Sequence, residues 1–337
     1  MIRDAITKLA KGVSLTEEES SISMEEIMNG DATPAQFGSF VTAMHIKGET
    51  VDEIVGMARV MKRMALHVEA EGILVDTCGT GGDGSNTFNI STTSGFVAAG
   101  AGVKIAKHGN RAMSGSCGSA DVLESLNVKI DLSPDGVKRC IEEAGFGFMF
   151  AQRFHPSMKF AAGPRKEIGI RTIFNFLGPL TNPARAERQV IGVSDKSMAG
   201  KMAEVLARLG SIKALVLRGD DGLDEISLST NTQAWELKEG KVRHQTISPV
   251  DFGLSKQSID PIKTYTVDES VNKLQKVLSG QPGPEREIVL LNTAAALMVS
   301  GTTDSLRDGF EIAAESIDSG RAKSKLDSLV NLSNKLT

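Results

Sequence analysis

Five short apolar runs, spread over residues 73–217, constrain the fold of this chain more than any other feature. They are Ile73–Val75, Val103–Ala106, Phe146–Ala151, Val190–Val193 and Ala214–Leu217. Short continuous runs bounded by glycine or polar residues are typical of parallel strands that are buried on both faces. Helical stretches separate most of them, such as 196–209, for which Ser194 is the expected cap. The alternation predicts an α/β lobe with a mostly parallel central sheet.

The first 70 residues predict short helices instead, because the candidate helix starts have capping boxes. Each box pairs a threonine with a Glu or Gln three residues later: Thr16 with Glu19, Thr33 with Gln36 and Thr50 with Glu53. Pro34 fits a first helical position, and Gly30 and Gly48 fit helix ends. Two long helical stretches, 287–301 and 305–336, close the chain and are ended or interrupted by glycine.

These patterns predict two lobes. Residues 1–69, with a segment at about 164–186 that crosses between the lobes, are expected to form a small all-helical lobe. Residues 70–163 and 187–337 are expected to form the larger α/β lobe.

Composition narrows the classes of partner. The 337 residues include 38 basic and 42 acidic side chains, which give a formal net charge of −4, and only 4% are aromatic. This balance argues against a surface for nucleic acid or an anionic membrane, because both need a basic field. Three cysteines without zinc-type spacing indicate a reducing compartment, and no segment approaches the roughly 18 apolar residues of a membrane span. We expect a cytoplasmic protein that binds small molecules.

A glycine-rich segment, DTCGTGGDGSNTFNIST, directly follows the first apolar run. Four of the six residues at 79–84, here named the glycine loop, are glycine. Backbone amides exposed in such a loop can form an anion nest, and Asn89, Ser91 and Thr92 then lead to a helix start, whose dipole also favours anions. The segment predicts a site for phosphate or pyrophosphate. The structural alternative is a tight strand-to-helix turn that needs positive φ.

Two common nucleotide-binding motifs resemble the glycine loop but fit it poorly. The loop matches G-x-G-x-x-G, yet in a dinucleotide-binding unit the helix opens inside the glycines and an acidic residue follows about 20 positions later. Here SNTFNIS intervenes, and the next strand leads into Lys107 and His108. A Walker A loop needs lysine after its last glycine, where this chain has Ser85.

Two further polar segments follow predicted strands. Residues 107–121, the lysine loop, offer the charges of Lys107 and Arg111 and the hydrogen-bonding groups of His108 and Asn110. Residues 220–225, the acidic turn, carry four carboxylates: Asp220, Asp221, Asp224 and Glu225. Mg²⁺ prefers a few carboxylates together with water and ligand phosphates, so this turn predicts a magnesium site.

Ligands of open α/β sheets bind beyond the carboxyl ends of the strands, where the three segments are expected to converge. Their convergence predicts a ligand with two phosphate groups and a magnesium ion. Each segment alone has a simpler interpretation: a solvated acidic turn, a structural histidine at position 108 and a small buried thiol at Cys117.

Taken together, these segments resemble the anthranilate phosphoribosyltransferase family. The glycine loop, KHGNRA, GSADVLE, GPRKEIGIRTIFNFLGPLTNPA, DGLDEIS and QFGSFVTAMHIKGET are all similar to family motifs and together span nearly the whole chain. The resemblance implies a nucleoside phosphorylase-like phosphoribosyltransferase fold, paired as a homodimer through the helical lobe. It also implies transfer of a phosphoribosyl group from phosphoribosyl pyrophosphate to the amine of anthranilate, with Mg²⁺ and release of pyrophosphate.

The resemblance further implies the site residues. Phosphoribosyl pyrophosphate would be held by Gly79, Gly82, Asp83, Thr87, Asn89, Ile90, Ser91, Thr92, Lys107, His108, Gly109, Asn110, Arg111, Ala112, Met113, Ser114, Gly115 and Ser119. Anthranilate would be bound by Gly79, Asn110 and Arg165. Magnesium would be anchored, directly or through water, by Ser91, Asp224 and Glu225. No residue is assigned as a strong general base.

Two other functions stay open on the residues alone. A pyrimidine-nucleoside phosphorylase has a related architecture and binds phosphate and ribose, but it has no need for the Asp224 and Glu225 pair. A catalytically silent relative would use the positive loops to bind nucleic acid, which the net charge and the scarce aromatic residues disfavour.

Overall fold

The computed structural model describes residues 1–112 and 117–336, which form a helical lobe and an α/β lobe around one sheet. The strands are β1 Leu74–Gly79, β2 Lys104–Gly109, β3 Phe146–Phe150, β4 Arg188–Gly192, β5 Lys213–Gly219, β6 Thr232–Lys238 and β7 Lys241–Ile247. Their order across the sheet is β3-β2-β1-β4-β5-β6-β7. The first five are parallel, and β6 and β7 add an antiparallel hairpin at one edge. The predicted mostly parallel sheet is confirmed.

Helices surround this sheet and build the second lobe. They are α1 Ile2–Ala10, α2 Glu17–Asn29, α3 Pro34–Lys47, α4 Val51–Met64, α5 Ile90–Gly100, α6 Ser119–Ser125, α7 Pro134–Arg139, α8 Ala151–Phe154, α9 Lys159–Ile168, α10 Phe174–Leu177, α11 Lys196–Arg208, α12 Val267–Leu278, α13 Pro284–Ser300, α14 Leu306–Asp318 and α15 Arg321–Ser333. Within the described residues, none of these helices combines the length and apolarity needed to cross a membrane.

The predicted local signals at the helix ends are mostly confirmed. All three capping boxes form, at the starts of α2, α3 and α4, and Pro34 occupies the first turn of α3. Gly30 and Gly48 follow the ends of α2 and α3 with positive φ. The expected cap at Ser194 is wrong: Asp195 precedes α11, and its carboxylate accepts the Ser197 amide at 2.8 Å. The Asp195 side chain already accepts a free amide at the start of α11, so the Ser194 hydroxyl is available for another contact.

The hairpin of β6 and β7 has no counterpart among the predicted runs. Its strands carry mostly polar side chains, because β7 lies at the edge of the sheet and exposes much of its surface. Glu239 and Gly240 form the turn, with φ of 53° and 71°. An apolar-run criterion finds only strands that are buried on both faces.

The segment at about 164–186, here named the return segment, packs with the helical lobe. Phe174 packs its ring 5.1 Å from that of Phe37 on α3, and Ile173 and Leu177 are buried in the same apolar cluster. This cluster continues onto one face of β4 and β5 and onto α11, so the two lobes share a packed junction. The packing agrees with a segment that crosses between lobes, and the lobe boundaries themselves stay a prediction.

Helix α5 lies at the centre of the α/β lobe, with ten of its eleven residues buried. Gly100 lets α15 approach closely: a Cβ there would lie 2.6 Å from the Ala322 backbone nitrogen and 2.8 Å from its Cα. Atoms cannot approach this closely, so the contact requires glycine.

Replacing Gly100 with alanine should therefore destabilise the protein by about 1–3 kcal/mol, because α15 must shift away from α5. The matched control is Gly163→Ala in α9, where a Cβ meets nothing within 4 Å. Urea unfolding at constant m measures both variants. Equal midpoints for the two would contradict the close-packing argument.

Candidate active site

Four parallel strands end in glycine at one edge of the sheet: β1 at Gly79, β2 at Gly109, β4 at Gly192 and β5 at Gly219. A Cβ on Gly79 or on Gly192 would overlap atoms of Asp224. The missing side chains therefore allow the acidic turn to lie directly against the ends of β1 and β4. This close approach gives the glycines at these strand ends a structural purpose.

The glycine loop and the acidic turn are in contact. The Gly81 amide donates a hydrogen bond of 2.8 Å to Asp224 Oδ2, across 143 positions of sequence. Their predicted convergence is confirmed. A bond from a backbone amide to a carboxylate is stronger than one between neutral groups, so it holds the two segments in a defined relation.

Two side chains outside the predicted set hold the loop from its other side. Arg171 Nη1 donates to the carbonyl oxygens of Gly81 at 3.0 Å and Gly82 at 2.8 Å. Ser194 Oγ, released from helix capping, donates to the Gly81 carbonyl at 3.0 Å. Arg171 belongs to the segment that was predicted to cross between lobes, and an arginine within that apolar stretch is the signal that sequence reasoning overlooked.

These contacts leave amides of the glycine loop available to a ligand. Gly81, Gly82 and Gly84 have φ of 64°, 71° and 70°, a conformation that favours glycine. Within the described part of the chain, the amides of Gly82, Asp83 and Gly84 donate no hydrogen bond. Consecutive free amides in such a loop form an anion nest.

The start of α5 supplies the positive end of a helix dipole, although the Ile90 amide donates to the Phe88 carbonyl at 2.7 Å and the Ser91 backbone contacts Glu225. Asn89 precedes the helix without capping it through its side chain, and its Oδ1 instead accepts the Thr92 hydroxyl. The Asn89 amide is held by Ser270 Oγ at 3.0 Å. Upstream, the Phe88 amide donates to the Ile262 carbonyl at 3.0 Å, which fixes the chain just before the helix. The Thr92 amide, for which no acceptor is found among the described residues, and the helix dipole favour an anion here.

Thr87 and Ile90 lie on this same stretch. Thr87 pairs with Lys263 in an isolated antiparallel bridge. Ile90 is buried at the first position of α5 and packs in the core of the α/β lobe. Both residues therefore position the chain between the glycine loop and the helix start.

Lys107 is buried at the end of β2, with 2% of its surface exposed. Its ammonium donates to the Thr77 carbonyl and, at 3.2 Å, to Ser91 Oγ. Burial lowers the pKa of Lys107, and the nearby Asp76 carboxylate opposes that shift. The positive charge is thus directed at the start of α5, next to the predicted phosphate and metal ligands.

Asp76 was not among the predicted site residues. It is fully buried in β1, and it accepts the His108 amide at 3.2 Å and Asn182 Nδ2 at 2.7 Å. Burial raises the pKa of Asp76, whereas Lys107 lowers it. An acidic residue directly after an apolar run was the available signal, and the structure shows that it orients the end of β2 beside Lys107.

The four carboxylates of the acidic turn divide into two pairs. Asp220 accepts a hydrogen bond from Gln233 at 3.0 Å. Asp221 accepts hydrogen bonds from the Leu223 amide and the Ser227 hydroxyl. Asp224 and Glu225 instead face the glycine loop and the Ser91 backbone. Only the second pair is placed to act on a ligand at the sheet edge.

These two carboxylates repel each other and Asp83. Burial and the Asp83 carboxylate raise the pKa of Asp224 to about 7, against the Gly81 hydrogen bond. Burial and the Asp224 carboxylate raise the pKa of Glu225, whereas the Lys107 charge lowers it. Oxygen donors crowded with like charge match a divalent cation, which would remove the repulsion.

No group of three or more His, Cys, Asp or Glu within residues 1–112 and 117–336 is arranged as a metal site. Magnesium usually keeps several waters and binds one or two carboxylates plus ligand phosphates. Asp224, Glu225 and the adjacent Ser91 hydroxyl therefore fit this ion as an open site.

The remaining predicted residues lie in several places. Gly109 ends β2, where a Cβ would clash with the Ser119 side chain and the Phe148 ring. The Asn110 side chain accepts the amide of its neighbour Arg111 at 2.8 Å. Ser119 Oγ lies 3.4 Å from the Asn110 carbonyl, at the start of α6. Met113, Ser114 and Gly115 lie outside the described residues.

Arg111 is not directed at the glycine loop. Its guanidinium is paired with Asp121 at 2.9 Å and with Glu124, and it is 44% exposed. Asp121 also accepts the Ala112 amide at 3.2 Å and the Gly118 amide at 2.9 Å. The contacts show Arg111 and Ala112 organising the lysine loop, and their predicted role in donor binding stays a prediction.

Arg165 lies half-buried on α9, with its guanidinium carbon 5.6 Å from the Phe174 ring centre. Burial lowers the pKa of Arg165. A guanidinium is planar, and its donors match the two oxygens of a carboxylate. Its predicted contact with anthranilate stays a prediction.

Comparison with known proteins agrees with this geometry. Residues 3–65 match the glycosyl transferase family's helical bundle domain, and residues 71–323 match its a/b domain. Anthranilate phosphoribosyltransferase of Herpetosiphon aurantiacus is 52% identical over 335 residues, covering 99% of both chains. That of Dehalococcoides mccartyi strain 195 is 51% identical over 339 residues, covering 100% of this chain and 99% of the relative.

The chain belongs to the anthranilate phosphoribosyltransferase family.

Solved structures of anthranilate phosphoribosyltransferases superpose closely on this chain. The anthranilate phosphoribosyltransferase of Thermus thermophilus superposes with a TM-score of 0.93 at 39% identity, covering 98% of this chain and 99% of that one. The Saccharomyces cerevisiae anthranilate phosphoribosyltransferase was solved in complex with phosphoribosyl pyrophosphate (PRPP) and Mg. It superposes with a TM-score of 0.90 at 28% identity, covering 99% of this chain and 98% of that one. The resemblance and the two-lobed fold expected from sequence are both confirmed.

Two buried histidines lie beside the site and carry a pH dependence. His108 and His155 pack with ring centres 5.0 Å apart. Burial lowers the pKa of His108 to about 3 and that of His155 to about 4. Both pKa values lie below the unfolded value near 6.5. The neutral rings therefore make their full contribution to the unfolding free energy above about pH 6.5, and this contribution is lost as pH falls toward the folded pKa values.

Replacing His155 with glutamine should remove one of these acid-sensitive groups. Between pH 7.5 and pH 5, the unmodified protein should lose about 2 kcal/mol more unfolding free energy than the variant. Urea unfolding at the two pH values measures the difference. His244→Gln, on the exposed edge strand β7, is the control. Equal losses in the unmodified protein and the His155 variant would contradict the assignment.

Proposed function

We propose that this protein transfers the phosphoribosyl group of 5-phosphoribosyl 1-pyrophosphate to the amine of anthranilate. The products are N-(5-phosphoribosyl)anthranilate and pyrophosphate, and the reaction belongs to tryptophan biosynthesis. One observation carries the proposal: the Gly81 amide bonds Asp224, which sets free loop amides beside a carboxylate pair that fits magnesium. Family membership gives the same reaction.

The donor is held chiefly by backbone amides and by Lys107. Displacement of pyrophosphate builds negative charge on the leaving group, so catalysis requires donors that are already oriented toward it. In this proposal the amides of Gly82, Asp83 and Gly84, which have no acceptor among the described residues, and the positive end of α5 face the leaving group. Lys107 adds a buried positive charge beside Ser91.

Ser91, Asp224 and Glu225 hold the magnesium ion in this proposal. When bound, Mg²⁺ would neutralise charge on the phosphates of the donor and on the departing pyrophosphate. The Saccharomyces cerevisiae relative was solved with PRPP and Mg, which supports the same cofactor here. Burial and the Asp83 carboxylate raise the pKa of Asp224, as expected for acidic oxygens that are held close together.

Anthranilate needs orientation more than activation. Its aromatic amine has a free lone pair at neutral pH, so the protein must mainly present that amine in line with the ribose carbon. Arg165 would bind the carboxylate through two parallel hydrogen bonds, and Asn110 and the Gly79 backbone would hold the ring. A Saccharomyces cerevisiae relative solved with 4-fluoroanthranilate supports an aromatic acceptor.

The direct test mixes purified protein with magnesium, phosphoribosyl pyrophosphate and anthranilate, and follows the loss of anthranilate fluorescence. Loss that depends on all three components supports the reaction. Phosphorolysis of a pyrimidine nucleoside without loss of anthranilate would overturn it.

Replacing Asp224 with asparagine should shift the magnesium dependence of turnover to higher metal concentration, by about ten-fold or more, because one anionic ligand is lost. The matched control is Asp220→Asn in the same turn, whose carboxylate bonds Gln233 instead. A magnesium titration at saturating substrates measures both. An unshifted titration for Asp224→Asn would remove this residue from the metal site.

Replacing Arg165 with alanine should raise the Michaelis constant for anthranilate by about ten-fold or more, because a charge-assisted contact to its carboxylate is lost. The constant for phosphoribosyl pyrophosphate should change little. Lys166→Ala, the neighbouring residue on α9, is the control. Unchanged constants for anthranilate would refute the role.

We further propose that the protein is a homodimer paired through its helical lobe. That lobe exposes large apolar side chains at Val13 and Ile46, with 50% and 80% of their surfaces accessible. Exposed apolar side chains also occur on the α/β lobe, such as Val250 and Tyr265, so the choice of the helical lobe rests on the family resemblance. The thiols of Cys78 and Cys140 are free, which supports a cytoplasmic location.

Replacing Ile46 with aspartate should shift the protein toward monomer in sedimentation velocity, because the charge would be buried at the interface. The control is Val250→Asp, an exposed apolar position on the α/β lobe. A monomeric unmodified protein, or a dimer that tolerates Ile46→Asp as well as Val250→Asp, would contradict pairing at this surface.

A further inference from the structure

A cavity of about 370 Å³ lies at the amino ends of β4 and β5, at the edge of the sheet opposite the active site. Arg188, Lys213 and Lys238 line it from three neighbouring strands, and Gly301 and Asp304 line it from the end of α13 onward. Strand β5 spans seven residues between this cavity and the acidic turn. At roughly 3.3 Å per residue, the two sites are about 20 Å apart.

The sheet register aligns the basic side chains on one face. Arg188 is the direct partner of Lys213, Lys213 of Lys238, and Lys238 of Lys241. Directly opposed residues on neighbouring strands project from the same face with their Cβ atoms about 5 Å apart. Like charges in such positions are destabilising, so this row of four cations requires compensation.

Lys213 is the most buried lysine of the row. It is 6% exposed, yet in the described part of the chain its ammonium has neither a hydrogen bond nor an ion pair. Arg188, in contrast, donates to the Val299 carbonyl at 2.8 Å and so caps the end of α13. Burial and the Lys238 charge lower the pKa of Lys213. Its Nζ atom keeps access to solvent at the cavity, so an anion can reach it there.

Acidic groups near the cavity do not pair with Lys213. Glu236 and Asp304 act on it only at a distance, since neither lies within ion-pair range. Glu239 lines the cavity from the exposed hairpin turn. The cavity therefore presents an ammonium that makes no direct contact with a carboxylate of the described residues.

We propose that this cavity is a second anion site, which binds inorganic phosphate or a phosphate ester between Lys213, Lys238 and Arg188. A tetrahedral dianion offers oxygens in several directions, which suits cations that approach from three strands. A planar carboxylate would reach fewer of them. The site is separate from the phosphate positions of the donor, because it lies at the other end of the strands.

Equilibrium dialysis against radiolabelled inorganic phosphate tests the proposal. Full-length protein is held with saturating magnesium and phosphoribosyl pyrophosphate, without anthranilate, so that the donor occupies the active site. Chloride keeps the ionic strength constant. The unmodified protein should bind one phosphate per chain. Lys213→Met should weaken this binding about ten-fold, as expected for a lost charge-assisted hydrogen bond.

Two further variants make the result decisive. Lys238 is exposed, so Lys238→Gln should fold normally and also weaken phosphate binding. Lys241→Met removes the last cation of the same row but lies outside the cavity lining, so it should bind phosphate as the unmodified protein does. The proposal is overturned if the unmodified protein binds no phosphate beyond the active site. It is equally overturned if Lys213→Met and Lys238→Gln bind normally.

A second arm separates this proposal from the proposed function. Without phosphoribosyl pyrophosphate, phosphate is free to occupy the active site as well, and Lys213→Met should then bind one phosphate fewer than the unmodified protein. If the donor failed to bind, both proteins would keep the active-site phosphate equally. The difference in phosphate bound per chain between the unmodified protein and Lys213→Met would still report occupancy of the second site.

Discussion

The hydrogen bond from the Gly81 amide to Asp224 is the contact on which the active site depends. It joins a loop that offers amides to anions with a turn that offers oxygens to a cation. The contact forms only because Gly79 and Gly192 have no side chains, so the acidic turn reaches the ends of two strands. Phosphates and magnesium attract each other, and a site that binds both needs these opposite groups a few ångströms apart.

Charge at this end of the sheet is arranged before any ligand arrives. Lys107 is buried beside Ser91, while Asp76 beneath it orients the end of β2. Asp224 and Glu225 remain close to each other, although their proximity raises both pKa values. Groups held in this way need no reorganisation when the leaving group develops charge. The cost is electrostatic repulsion between the two carboxylates, which a bound cation would reduce.

The helical lobe contributes to the site through its return segment. Arg171 holds the Gly81 and Gly82 carbonyls, while Phe174, three residues later, packs into the helical core against Phe37. Arg165 stands over the same Phe174 ring. The position of one lobe therefore sets both the glycine loop and the predicted anthranilate residue. A motion of the lobes would change the donor and acceptor sites together.

Local pattern determined the two-lobed α/β fold, five of the seven strands, the capping boxes and the three polar segments that follow strands. The reason is that the burial period and the chemistry of element ends are encoded in neighbouring residues. Tertiary structure alone decided which carboxylates face the glycine loop, that Arg111 pairs with Asp121, and that Ser194 binds the loop instead of capping α11. It also aligned Lys213 with its basic neighbours. The alignment of Lys213 depends on strand register, and the contacts of Asp224 and Ser194 with the glycine loop cross more than a hundred positions. The pair of Arg111 and Asp121 is ten positions apart, but it depends on where the end of β2 lies relative to α6. No local pattern encodes these contacts.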